Sequence, residues 1–209
     1  GGAMDLVDAL GQHPDIEAVA MVHEQAAVIA AEYDARMRQG LGVALVTCGP
    51  GATNAMTGLA GAWIESSPVL VISGQAKSTD INKPINVRQQ GVQGLSIRNV
   101  VAPITKYAHS FTDVSEVPAS IESAIQSALS GRKGPVWLDV PLDIQSAELT
   151  DVRPVSVASE RQQDDMPELK DALDLIRKAE RPMFVIGHGV RIAGAAEDFR
   201  QLSDELQIP

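Results

Sequence analysis

The sequence predicts an α/β fold: a mostly parallel sheet with helices on both faces, followed by the start of a second α/β unit. Three observations carry this expectation. Short apolar runs alternate with longer stretches whose apolar residues recur at helical spacing, which implies parallel strands joined by helical crossovers. The run at 69–73 is uninterrupted and apolar, as suits a strand buried on both faces. Aromatic residues make up 3% of the chain against 44% hydrophobic residues, so the core is built from Ala, Val, Ile and Leu, which suits close packing of helices on a sheet.

In chain order, residues 3–10 place Met4, Leu6, Val7 and Leu10 on a short helical stripe. Residues 16–22 read as a strand. Residues 25–37 are Ala-rich with apolar positions at helical spacing, and Gly40 ends them. A buried strand is expected at 43–47, a helix of small residues at 52–64 and the apolar strand at 69–73. Residues 74–94 are polar and punctuated by Gly and Pro, and a loop of that length in a compact domain usually serves function. A strand follows at 104–109, a helix at 114–129 and a strand at 135–140. From 141 to 165 the chain turns polar, with Pro154 and the run ERQQDD, which reads as a linker or surface crossing. A helix at 166–178, a strand at 182–186 and a helix at 192–206 begin a second unit. The division expected is 1–148 for the first domain, 149–165 for the linker and 166–209 for an incomplete second domain.

The net charge of −10 over 209 residues argues against nucleic acid or an anionic membrane as the main partner. No run is long and apolar enough to span a bilayer, and no basic-then-apolar leader opens the sequence. The single cysteine, Cys48, excludes an intrachain disulfide and fits a reducing cytoplasm. It reads as a small buried residue rather than a nucleophile. The four histidines have no metal-ligand spacing.

The chain is organised around residues 23–54, which join HEQ, a helix, an apolar strand and GPGATN. Glu24 stands at the front of the helix, where unpaired N–H groups and the helix dipole favour a negative charge. It is either a fixed anion or proton acceptor of a site, or a first-turn glutamate that stabilises its own helix. Gly49 and Gly51 let backbone approach a ligand, and Pro50 stiffens the turn. A dinucleotide cradle is disfavoured: the Gly-x-Gly-x-x-Gly pattern needs glycine at 54, where Asn54 stands, and the acid expected about 20 residues later is missing.

The HEQ at 23–25, the GPGATN at 49–54 and the ISGQ at 72–75, in this order and spacing, resemble thiamine-diphosphate enzymes of the acetolactate synthase type. The similarity covers the whole chain and stops short of that family's C-terminal domain. It implies that residues 1–148 are the domain that binds the aminopyrimidine ring, that 166–209 begin the central domain, and that a strand precedes Gly1. It also implies roles. The glutamate matching Glu24 hydrogen-bonds the pyrimidine N1′ and favours the imino tautomer that removes the thiazolium C2 proton. An apolar setting that raises its pKa would help, and Met21, Ala26 and Ala27 nearby are expected to supply one. Gly49, Pro50, Gly51, Asn54 and Gln75 become cofactor-binding positions. Gln93 matches the active-site glutamine facing the reacting carbon, and Gly2 lines the ring on the partner side.

The resemblance further implies decarboxylation of a 2-keto acid such as pyruvate and transfer of the acyl anion to an acceptor. It implies Mg²⁺ held by a Gly-Asp-Gly motif of the C-terminal domain, which these 209 residues do not contain. It implies a homo-oligomer, dimer or tetramer, with the site between subunits. Gly187, Gly189 and Arg191 are similar to the start of the region that contacts FAD in acetolactate synthases, which makes FAD a candidate cofactor. Two rival readings stand beside this one: a dinucleotide-binding α/β module, and a non-catalytic fragment used in assembly.

Overall fold

The computed structural model describes residues 1–81, 87–149 and 168–209. The chain divides into two compact units, Gly1–Ser159 and Glu160–Pro209. Elements in the first are helix α1 (Met4–Gln12), helix α2 (Glu24–Arg38), strand β1 (Gly42–Val46), short helix α3 (Pro50–Asn54), helix α4 (Met56–Ile64) and strand β2 (Val69–Gln75). Next come short helices α5 (Ser78–Ile81) and α6 (Ile97–Val101), strand β3 (Tyr107–Ser110), helix α7 (Val117–Leu129), strand β4 (Val136–Pro141) and short helix α8 (Leu142–Gln145).

The four strands form one sheet in the order β1-β2-β4-β3, and every pairing is parallel. Ala44, Val71, Trp137 and Ala108 lie in register across it. That row faces a core with Val28 and Ala31 of α2, Leu59 and Ala62 of α4, and Ile97 and Val101 of α6. On the other face, Leu70, Val136 and Leu138 pack with Ala124 and Ala128 of α7, Phe111 and Leu6 of α1. Helices therefore cover both faces, as expected. The apolar runs follow from this: central strands β2 and β4 have both faces buried and no solvated side for polar residues to occupy.

Local chemistry explains α2, which carries the organising segment. His23 caps it with extended backbone, and its Nδ1 accepts the Gln25 N–H at 3.1 Å. Arg36 and Arg38 stand in the last turn, where cations suit the dipole. Gln39 closes the helix in the left-handed conformation at φ 57°. Val28, Ala31, Glu32 and Ala35 form its buried stripe. The buried Glu32 carboxylate accepts from Ser67 Oγ at 3.1 Å and from Arg36 at 3.4 Å.

Several expectations need correction. Residues 16–22 form no strand: Ile16, Val19 and Val22 are exposed, and the segment pairs with no strand among the described residues. The strand expected at 104–109 starts only at Tyr107, because Pro103 sits in a 3-10 turn over Ala102–Ile104. The helix expected at 52–64 is two, meeting at Ala55. Within the loop at 74–94 lies α5, and residues 82–86 fall outside the described residues.

In the second unit, α9 (Glu168–Lys178), α10 (Gly189–Ile192) and α11 (Ala196–Leu206) are helical. The helix expected at 192–206 is broken by Gly194 at φ 71°. Residues 182–186 are not a strand. A strand needs a ladder partner, and among the described residues the segment's one backbone bond outside it runs from Phe184 N–H to Pro209 O at 2.9 Å. Phe184 packs edge-on against Phe199. The expected linker lies outside the described residues apart from Leu149, as does Met166 of the helix start.

Candidate active site

The carboxyl end of β1 leads into Gly49, Pro50, Gly51 and Asn54, and β2 ends on Gln75, the end of the strands at which open parallel sheets place ligand sites. From β1 the chain passes through Thr47 and Cys48 to Gly49, which holds φ 58° and ψ −120°, a conformation glycine tolerates and side-chain-bearing residues resist. Pro50 then opens α3 with its ring at the first turn, where its missing N–H costs nothing. This geometry brings Gly51 beneath the start of α2. A Cβ on Gly51 would stand 3.0 Å from Glu24 Oε1 and 2.5 Å from Thr47 Cγ2, so glycine here lets the turn pack directly against Thr47 and the carboxylate.

Asn54, at the end of α3, donates its amide to Glu24 Oε2 at 3.1 Å. Thr53 Oγ1 donates to the Pro50 carbonyl at 3.0 Å and ties the short helix to its own first turn. The Asn54 amide, and then Glu24's own backbone N–H, hold the Glu24 carboxyl below the usual glutamate range. This corrects one expectation. Glu24 is half-buried, with Met21 and Ala26 exposed, so they supply no apolar setting that raises its pKa. The group is an ionised acceptor at neutral pH.

Gln93 arrives from the long loop. It is exposed, takes φ 57°, and lies over the turn: a Cβ on Gly49 would meet the Gln93 carbonyl oxygen at 2.7 Å. The Cys48 thiol approaches Gln93 Oε1 at 3.9 Å. Cys48 is buried, and Gly2 packs against its side chain. The Gly2 carbonyl accepts from Gln145 Nε2 at 2.7 Å. Glu24, Gly51 and Asn54 thus meet directly, with Gly49, Gln93, Cys48 and Gly2 following one another alongside.

Gln75 is placed differently. It is 2% exposed. Its Nε2 donates to Leu95 O at 2.8 Å and to Asp139 Oδ2 at 3.0 Å, and its Oε1 accepts from Ala76 N–H at 2.9 Å. All its polar atoms are engaged within the protein. It belongs to a buried network that sequence reasoning missed. Asp139 Oδ1 accepts from Ser73 Oγ at 2.6 Å, Oδ2 also accepts from Ser110 Oγ at 3.0 Å, and Trp137 Nε1 donates to Ser73 Oγ at 2.8 Å. Burial pushes the Asp139 carboxyl up, against the hydrogen bonds from Ser73, Gln75 and Ser110 that lower it. The available signal was an acid in the otherwise apolar strand VWLDVP.

In the second unit, an open cleft of about 360 Å³ is lined by Gly187, Arg191, Phe199 and Ser203 among others. Gly187 and Arg191 thus both line it, while Gly189, the first residue of α10, is not one of its lining residues. Among the described residues no group of three or more His, Cys, Asp and Glu side chains has metal-binding geometry. No helix there is long and apolar enough to cross a membrane.

Glu24 at the start of α2 thus meets Gly51 and Asn54 of the strand–turn–helix that follows β1. The chain belongs to the thiamine pyrophosphate enzymes. Residues 1–99 match the thiamine pyrophosphate enzyme N-terminal TPP binding domain, and residues 169–209 match the central domain of the same enzymes. The acetolactate synthase large subunit of Lactococcus lactis subsp. lactis is 33% identical over 216 aligned positions, spanning all of this chain and 36% of the relative. The acetolactate synthase of Arthrospira platensis is 37% identical over 194 positions, covering 90% of this chain and 32% of the relative. The acetolactate synthase isozyme 3 large subunit of Escherichia coli K12 is 33% identical, again over the whole chain and 36% of the relative. The chain spans about a third of the length of these curated relatives.

Proposed function

We propose that the protein is a thiamine-diphosphate-dependent carboligase or decarboxylase of the acetolactate synthase type, which decarboxylates a 2-keto acid such as pyruvate and passes the acyl unit to an acceptor. The observation that carries this reading is the Glu24 carboxylate at the start of α2, hydrogen-bonded by Asn54 and packed close against Gly51 of the turn after β1. These residues fit the aminopyrimidine end of the cofactor. Glu24 would hydrogen-bond the ring N1′ and share a proton with it, Gly49, Pro50 and Gly51 would form a wall close to the ring plane, and Gln93 would stand at the reacting end. When bound, the cofactor supplies the electron sink for decarboxylation.

The chain's own residues have separate tasks. Glu24 presents a fixed acceptor and, once a ring and a partner surface cover it, loses water and binds the shared proton more strongly. Asn54 orients that carboxylate. Gly49 and Gly51 let Gln93 and the Glu24 carboxylate pack close against the turn. Mg²⁺ and the pyrophosphate would be held by a Gly-Asp-Gly motif of the C-terminal domain, as the family resemblance implies. A dimer or tetramer with the site between subunits, a cytoplasmic location, and FAD in the cleft near Arg191 belong to the same reading.

Calorimetric titration of the intact enzyme with thiamine diphosphate and Mg²⁺, beside NAD, tests it. Binding of thiamine diphosphate together with cofactor-dependent CO2 release from pyruvate is expected. Tight NAD binding with no response to thiamine diphosphate would favour the dinucleotide module, and binding without turnover on any 2-keto acid would favour an assembly role.

A further inference from the structure

Asp139 is 1% exposed and takes three hydrogen bonds from two neighbouring strands, Ser73 and Gln75 of β2 and Ser110 of β3. A buried carboxylate is costly unless so satisfied. A brace internal to the sheet would need nothing more. Yet Gln75 spends its second N–H outside the sheet, on the carbonyl of Leu95, two residues after Gln93. Its amide can face only one way, since two acceptors flank the nitrogen and the Ala76 N–H meets the oxygen. Asp139 therefore dictates the orientation that lets Gln75 reach Leu95.

The loop so held has little apolar burial of its own. Val92 is 82% exposed and Leu95 39% exposed. Gly91 packs on Ala76, directly after Gln75, and Gln93 rests on Gly49. Polar attachment to the end of β2 thus sets where Gln93 sits, in a left-handed conformation that a non-glycine residue adopts only when its surroundings impose it.

We propose that Gln75, oriented by Asp139, is a positioning residue that seats the Gln93 loop on Gly49, rather than a residue that touches the cofactor. This rests on the reading above, in which Gln93 faces the reacting carbon. The test is Gln75→Met in the intact enzyme, a substitution that keeps volume and removes the amide. In the cofactor-free enzyme, amide hydrogen exchange across residues 87–96 rises roughly three- to tenfold, as loss of one hydrogen bond implies, while α2 keeps its protection. With cofactor, kcat/KM for the 2-keto acid falls about tenfold to a hundredfold, the scale of a small misplacement at a reacting centre. Exchange of the cofactor C2 proton, which depends on Glu24, stays unchanged. The double variant Gln75→Met, Gln93→Ala is no slower than Gln93→Ala alone, because the two act through one group.

Unchanged loop exchange would overturn the proposal. So would multiplying defects in the double variant, or weakened cofactor affinity with keto-acid kinetics intact, which would make Gln75 a cofactor contact. If Gln75→Met does not fold, Asp139→Asn serves instead and is expected to shift loop exchange and kcat/KM in the same directions, by less. Absence of any thiamine-diphosphate-dependent turnover in the parent enzyme would sink the functional reading instead, and the loop exchange would still decide the positioning role.

Discussion

The Asn54 amide lies 3.1 Å from Glu24 Oε2, joining the last residue of one short helix to the first residue of another 30 positions earlier. This contact, ahead of Glu24's own backbone N–H, lowers the pKa of the carboxylate at the candidate site.

Asn54→Ala should therefore raise the Glu24 pKa toward its ordinary value. The linkage has a definite sign. A carboxyl whose folded pKa lies below its unfolded value adds stability above the unfolded pKa, and that contribution is lost as pH falls through the folded value. Removing Asn54 should flatten this acid-side loss. Carbon-detected NMR titration of the Glu24 carboxyl in the cofactor-free enzyme checks the direction. An unmoved titration midpoint would assign the shift to another cause.

Asp139 has the opposite sign. Its folded pKa is raised by burial, so the fold binds a proton that the unfolded chain has released. Stability should fall as pH rises from the ordinary aspartate value through the folded one. Asp139→Asn should remove that slope. Urea unfolding of both proteins across the acid range reads it directly, and parallel profiles would contradict the assignment.

Gly49→Ala combines a strained backbone with a collision at the Gln93 carbonyl. A destabilisation of about 1–3 kcal/mol is expected from the conformation alone. Chemical denaturation measures it, and a neutral substitution would show that the turn relaxes without strain.

Leu59 is fully buried between α2 and the sheet, within the cluster of Val28, Val71 and Trp137. Leu59→Ala should cost about 2–5 kcal/mol, the usual range for a core leucine. A loss well under 1 kcal/mol would mean that the small-residue packing around α4 closes the cavity.

Much of this was legible in the sequence because the central strands had no solvated face to blur their pattern. The runs at 69–73 and 135–140 could hardly be anything but buried strands. Residues 16–22 carry a similar apolar pattern yet pair with no strand among the described residues, since a strand is a property of its neighbour as much as of its own residues. At the site, Glu24 and Gly51 stood out by type and position. What pattern could not supply was the donor set. Asn54 reaches Glu24 only through the fold, and that contact reversed the expected direction of its pKa. Gln75 drew notice by its place in ISGQ, but its partners Asp139 and Leu95 lie 64 and 20 positions away.

The most direct measurement of the account is exchange of the C2 proton of thiamine diphosphate for deuterium on the intact enzyme, comparing the parent with Glu24→Gln. The glutamine keeps size and shape but has no titratable group to exchange the shared proton. The account predicts folding and thermal stability close to the parent and an exchange rate lower by about 10²- to 10⁴-fold, the typical cost of losing one acid–base group. An exchange rate equal to the parent's, in a folded variant with the cofactor bound, would contradict it.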